Sequence, residues 1–172
     1  VASSREGIRV PPLTLPGNAR GYLFCPQTAA KLHPGHDALF AAVAAACPDH
    51  PIVLTPHARA HVREALAARI GKAFRAAGLD PGRQLCVLPM LPWPQFLGLA
   101  SGATAMLDSL DWSGGNTTLE TLAWGVPVVS LPGATMRSRH SAGLLAMGGL
   151  DELIAADAQG YVERVQRIAH QP

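Results

Sequence analysis

Five short apolar runs, spaced by helix-length segments, constrain this chain more than any other feature. They are residues 21–25 (GYLFC), 51–55 (PIVLT), 84–88 (QLCVL), 104–107 (TAML) and 127–131 (PVVSL). Each is strand-length and close to continuously apolar, the pattern of a strand buried on both faces. The intervening segments carry helical periodicity. Leu39, Phe40, Val43 and Cys47 share one face of a helix expected over 36–47. Val62, Leu66, Ile70 and Phe74 form the stripe of another over 58–77, closed by Gly78. Further helices are expected at 95–100, 117–124, from a Thr135 cap to about 147, and at 159–169, with a weak strand or turn at 150–154. Strands alternating with helices imply an α/β chain with a doubly wound parallel sheet.

Such sheets bind ligands outside the carboxyl ends of their strands. The loops expected there are 26–35, 55–58, 89–94, 109–116 and 132–135, which hold Lys31, His33 and Trp93, with Arg139 shortly beyond. The most informative stretch is 107–133, LDSLDWSGGNTTLETLAWGVPVVSLPG. Gly114 and Gly115 permit positive φ and close approach to a ligand. Asn116, Thr117 and Thr118 are candidate side-chain caps for the helix after them, leaving other amides free for an anion, with phosphate the usual guest. Glu120 lies one turn in, where a carboxylate can accept from a sugar diol. The same residues also read as an ordinary loop with a dipole-compensating Glu. Neither the dinucleotide fingerprint nor the P-loop is present.

Lys31 is the best single cation for a pyrophosphate, though a solvated loop lysine has the same signature. Asp108 reads as a strand-end carboxylate bonding to loop amides. The seven histidines show no metal-ligand spacing, and no metal or cofactor is expected. Trp93 and Phe96 either stack on a base or pack a corner. Arg137 and Arg139 either meet a ligand or solvate a helix start.

A net charge of +2 with no basic run argues against nucleic acid as a partner. Cys25, Cys47 and Cys86 are dispersed in apolar contexts, which fits buried thiols and a reducing, cytoplasmic setting. No stretch approaches the ~20 apolar residues of a membrane span. Residues 1–19, rich in Pro and Gly, read as a linker or extended arm before a single domain over 20–172. A first residue that is Val suggests a piece of a longer protein.

Four motifs in order, FCPQTAAKLHP, VLPMLPWPQF, the 107–133 stretch and RSRHSAGLLAMGGLDELIA, with a terminal YVERV after them, resemble the C-terminal half of the catalytic region of O-linked N-acetylglucosamine transferases. Bacterial members are often fused to tetratricopeptide repeats. The resemblance implies a Rossmann-like, nucleotide-sugar-binding domain of a GT-B glycosyltransferase, with UDP-N-acetylglucosamine as donor substrate and inversion without a metal. It implies that Lys31 is catalytic and, with the Thr117 and Thr118 amides, holds the diphosphate. Glu120 would take the ribose, and the backbone near Leu91 the uracil. Gln27, Gly114, Gly115, Asn116 and Arg139 would complete the substrate site. Asn116, Glu120 and Phe96 depart from the animal enzymes, which carry His, Asp and His there. Implied partners are the N-terminal catalytic half, an acceptor protein and possible repeats, with the fragment inactive alone. A UDP-sugar 2-epimerase half and a non-catalytic nucleotide- or protein-binding module are the alternatives.

Overall fold

A computed structural model describes residues 13–16 and 18–170. The 1–19 arm therefore lies largely outside the described residues; of its described part, Leu13 and Leu15 pack against the core. The chain runs β1 (Leu23–Cys25), α1 (Asp37–Ala46), β2 (Ile52–His57), α2 (Ala60–Ala76), α3 (Pro81–Gln84) and β3 (Leu85–Pro89). It continues α4 (Trp93–Ser101), β4 (Ala105–Leu107), α5 (Asn116–Ala123), β5 (Val128–Val129), α6 (His140–Met147) and α7 (Ala158–His170). All strand pairs are parallel and the order is β3-β2-β1-β4-β5. The sheet is doubly wound, and the winding reverses between β1 and β4, where Leu23 faces Ala105.

Alternation along the strands sends side chains to both faces. Leu23, Cys25, Ile52 and Leu54 pack against Phe40 and Val43 of α1, Leu66, Ile70 and Phe74 of α2, and Tyr161 and Val165 of α7. Phe24 and Val53 face Leu99 and Ala100 of α4. Met106 and Val128 meet Leu145 of α6. The inner strands are buried along β1, β4 and residues 52–54 of β2, which is why these stretches are continuously apolar rather than alternating.

Several boundaries differ from the sequence expectation. The last strand is two residues long, and its extension is a single parallel bridge from Ser130 to Ile154. Asp80 accepts from the Gly82 amide and starts an unexpected short helix, α3. Thr135 does not cap α6; a 3-10 turn, Met136–Ser138, intervenes and the helix begins at His140. Gly78 does take φ +76° just beyond α2, the left-handed conformation expected of a helix-closing glycine.

Candidate functional site

Asp108 directly succeeds β4, almost fully buried, and organises the turn that leads into α5. Its Oδ1 accepts from the Gly114 amide at 2.8 Å and its Oδ2 from the Ser130 hydroxyl at 2.8 Å. Tyr161 donates to its carbonyl at 3.1 Å, tying in α7. Burial raises the Asp108 pKa, while the Gly114 amide and the Ser130 hydroxyl pull against that rise. The expectation that Asp108 bonds loop amides holds, and the tight turn before α5 is built on that bond.

The N-termini of α5 and α6 adjoin this turn. Ser113 closes that of α6: its Oγ accepts from the amides of His140 at 3.0 Å and Ser141 at 3.3 Å, and donates to the Arg137 carbonyl at 3.1 Å. That of α5 stays open. Its N-cap is Gly115, with no side-chain cap, so the expected capping by Asn116, Thr117 or Thr118 does not occur. Thr118 is fully buried and its Oγ1 is spent on Ser141 Oγ at 2.8 Å, because that side chain points between the two helices rather than back along its own. The Thr118 amide turns back on the Gly115 carbonyl at 3.1 Å. The Asn116 and Thr117 amides have no acceptor among the described residues. Open amides at a helix start favour an anion.

Neither Gly114 nor Gly115 adopts the positive φ that the sequence allowed; Gly114 serves this turn through close packing, while a Cβ on Gly115 would meet nothing within 4 Å. A Cβ on Gly114 would lie 2.5 Å from Thr118 Oγ1, 2.9 Å from Thr117 Oγ1 and 3.1 Å from Gln27 Nε2. Gln27 thus reaches from the loop after β1 to the start of α5. It is 2% exposed, and its Nε2 is buried without a hydrogen-bond partner. The Glu120 Oε2 is likewise buried and unpartnered, and burial raises its pKa above the ordinary carboxylate value.

Lys31 sits on the 3-10 turn Ala29–Lys31 after β1. Its Nζ donates to the Ser113 carbonyl at 3.1 Å and lies 5.6 Å from the centre of the Trp112 ring. Partial burial lowers its pKa, with the Asp108 charge acting in the opposite direction. Lys31, His33, Trp112, Thr135, Arg137 and Ser138 line a hollow of roughly 290 Å³. Gly115, Asn116, Leu119, Arg139, His140 and Met147 are among the residues around an adjoining groove of roughly 950 Å³. Arg139 is exposed and donates to the Gly133 carbonyl at 3.0 Å.

Leu91 and Glu120 line neither hollow. The Leu91 side chain packs with Phe96 on the α4 side of the sheet. Phe96 meets Phe24 at 5.8 Å and stacks on Trp93 at 5.4 Å between ring centres, the corner-packing alternative. Cys25 and Cys47 are buried free thiols, Cys86 is half-buried, and burial pushes Cys25 up to about 12. Among the described residues no group of three or more His, Cys, Asp or Glu could hold a metal ion, and no helix is long and apolar enough to cross a membrane.

Sequence reasoning missed two neighbours of the site. His36 is 2% exposed, with Nε2 3.1 Å from the exposed Asp111 and Nδ1 buried and unpartnered. Trp112 is 44% exposed between Lys31 and Arg137. The only sequence signal was an aromatic two residues before a Gly-Gly turn.

No family model matches the chain, and no curated protein matches it. Solved structures do. A mutant O-GlcNAc transferase from Thermobaculum terrenum matches with a TM-score of 0.77 and 30% identity, over 94% of this chain and 31% of that one. A UDP-forming α,α-trehalose-phosphate synthase from Burkholderia xenovorans matches at 0.62 and 14%, over 90% and 37%. The UDP-GlcNAc 2-epimerase of Neisseria meningitidis matches at 0.55 and 15%, over 91% and 40%. The chain therefore spans between about a third and two fifths of the proteins it resembles. The last two likenesses bear on the fold alone. In fold and sequence the chain corresponds to the C-terminal half of an O-GlcNAc-transferase-like GT-B glycosyltransferase domain.

Proposed function

We propose that this chain is the donor-binding half of an inverting, metal-independent glycosyltransferase, with UDP-N-acetylglucosamine as donor and a protein hydroxyl as acceptor. One observation carries the reading: at the winding reversal, the open amides of Asn116 and Thr117 lie in the turn against which Gln27 packs, and Lys31 anchors to the same loop through Ser113. A cation, two unengaged amides and an unpartnered carboxamide suit a diphosphate. Glu120, one helical turn further, has an unpartnered oxygen to accept from a ribose hydroxyl. Asn116, Gly115 and Arg139 border the groove beside it. The choice of sugar rests on the family resemblance and the likeness to the Thermobaculum terrenum transferase.

In that reaction the acceptor oxygen bonds to the anomeric carbon as the bond to UDP breaks. The departing diphosphate takes the charge, which Lys31 and the α5 N-terminus stabilise. The base and the acceptor contacts belong to the N-terminal half, with or without tetratricopeptide repeats. Supporting a partner half, Met90, Trp93, Trp112, Leu119 and Met136 are large, exposed apolar residues. All come after the carboxyl ends of β3, β4 and β5. The free thiols accord with a cytoplasmic setting.

The test is UDP binding to this chain, measured by thermal unfolding. A hundredfold excess over Kd should stabilise the fold by about 2.7 kcal/mol. An unchanged melting curve at millimolar UDP, in the chain alone and joined to its N-terminal half, refutes the reading. Transfer to a protein acceptor should appear only in the joined form, since orienting the acceptor is worth ~7–11 kcal/mol.

A further inference from the structure

We propose that Trp112 is a positioning residue, holding the Lys31 ammonium in a cradle with no direct carboxylate partner so that it stays available to an incoming anion; this rests on the donor-site reading of Lys31. Among the described residues carboxylates contact Arg20, His36, His50 and Arg69, and none contacts Lys31. Its contacts are the Ser113 carbonyl at 3.1 Å and the Trp112 ring at 5.6 Å, within the reach of a cation over an indole face. Asp108 acts on it only through its field, since no hydrogen bond or ion pair joins the two.

The distinction between a charged and a neutral partner decides what the lysine can do. A carboxylate would fix the ammonium and also neutralise it, so a phosphate would have to displace that partner. A carbonyl uses one of three N–H donors, and an indole face uses none. Two donors remain, and no carboxylate in contact offsets the charge.

The backbone that carries the indole is held. Ser109 Oγ donates to the Trp112 carbonyl at 2.6 Å, and the Ser113 amide donates to the Arg137 carbonyl at 2.9 Å. The Arg137 guanidinium lies 5.4 Å from the ring centre. The loops after β4 and β5 are therefore joined around this one side chain, while Lys31 comes from the loop after β1.

The chain has only two lysines, Lys31 and Lys72. Reductive 13C-dimethylation keeps their charge and yields two side-chain NMR signals, the Lys31 signal being the one absent from Lys31→Met. In the wild type that signal should be shifted upfield by the indole ring current. It should move towards the Lys72 position in Trp112→Leu and return part-way in Trp112→Tyr. In parallel, inorganic pyrophosphate is titrated calorimetrically. Trp112→Leu should weaken it roughly two- to thirty-fold, the range of exposed to desolvated cation–π contacts. The same change in a Lys31→Met background should have no further effect. An unshifted wild-type Lys31 signal, or equal losses with and without Lys31, overturns the proposal. A shifted signal in a chain that binds neither pyrophosphate nor UDP supports the cradle and sinks the donor-site reading instead.

Discussion

Gly114→Ala places a methyl group in the tightest part of the site. The new carbon would stand 2.5 Å from Thr118 Oγ1, against the ~3.3 Å at which carbon–oxygen contacts settle, so something must move by ~0.8 Å. Thr118 has little room to give. It is β-branched, fully buried, and bonded through Oγ1 to Ser141, whose hydroxyl also donates to the Gly114 carbonyl at 3.2 Å. Relief therefore comes from shifting the Gly114 backbone off Asp108 or from displacing the first turn of α5. Overpacking of this kind costs about 1–3 kcal/mol. For a chain of this size that lowers Tm by about 2–12 °C. Because the displaced turn carries the Asn116 and Thr117 amides, UDP affinity should also fall, by about tenfold or more for the loss of one hydrogen bond to a charged group. Gly143→Ala is the control: no atom beyond its chain neighbours and its own helix backbone lies within 4 Å of its added carbon, and it is inside α6. It should stabilise by ~0.5–1 kcal/mol. Urea unfolding and UDP calorimetry on both variants decide the matter. A Gly114→Ala protein matching wild type in midpoint and affinity would refute the packing argument.

Asp108→Ala should cost ~2–5 kcal/mol in urea unfolding, since it strips acceptors from the Gly114 amide and the Ser130 hydroxyl; a loss under ~1 kcal/mol would contradict the organising role. Burial raises the folded pKa of Glu120, so its contribution to stability is present below the ordinary value of ~4.3 and lost as pH rises through the folded pKa. Glu120→Gln should accordingly be at least as stable as wild type at pH 7 and lose that advantage below pH ~4, while weakening UDP by roughly 1.5–3 kcal/mol and sparing 2′,3′-dideoxy-UDP. Equal losses for the two nucleotides would show that Glu120 does not touch the ribose. Burial depresses the His36 pKa against the pull of Asp111, so its contribution to stability is present above ~6.5 and lost as pH falls through the folded pKa. His36→Gln should flatten that acid limb of the stability–pH curve; an unchanged limb would show that His36 does not set it.

Much of the scaffold was legible because it depends on nearest neighbours and on burial. Apolar runs such as 52–54 report strands covered on both faces, and Leu66, Ile70 and Phe74 report the buried stripe of α2. Gly78 reports a backbone conformation that Cβ disfavours. The 107–133 motif was legible as a strand–turn–helix, and with it the site of the open amides. What the local pattern could not carry was which polar atoms would already be occupied. Thr118 looked like a cap, yet Ser141, 23 residues on, takes its hydroxyl. Thr135 looked like the cap of the helix after β5, yet α6 begins at His140 and Ser113 closes it from 27 residues away. Lys31 could have been a solvated lysine; its anchoring to Ser113 spans 82 positions, and the His36–Asp111 pair spans 75. Helix and strand periodicity arise from local backbone sterics and the side of the element that meets the core. Whether a donor, acceptor or cation remains free for a ligand depends on partners that only the winding of β1, β4 and β5 brings within hydrogen-bond reach.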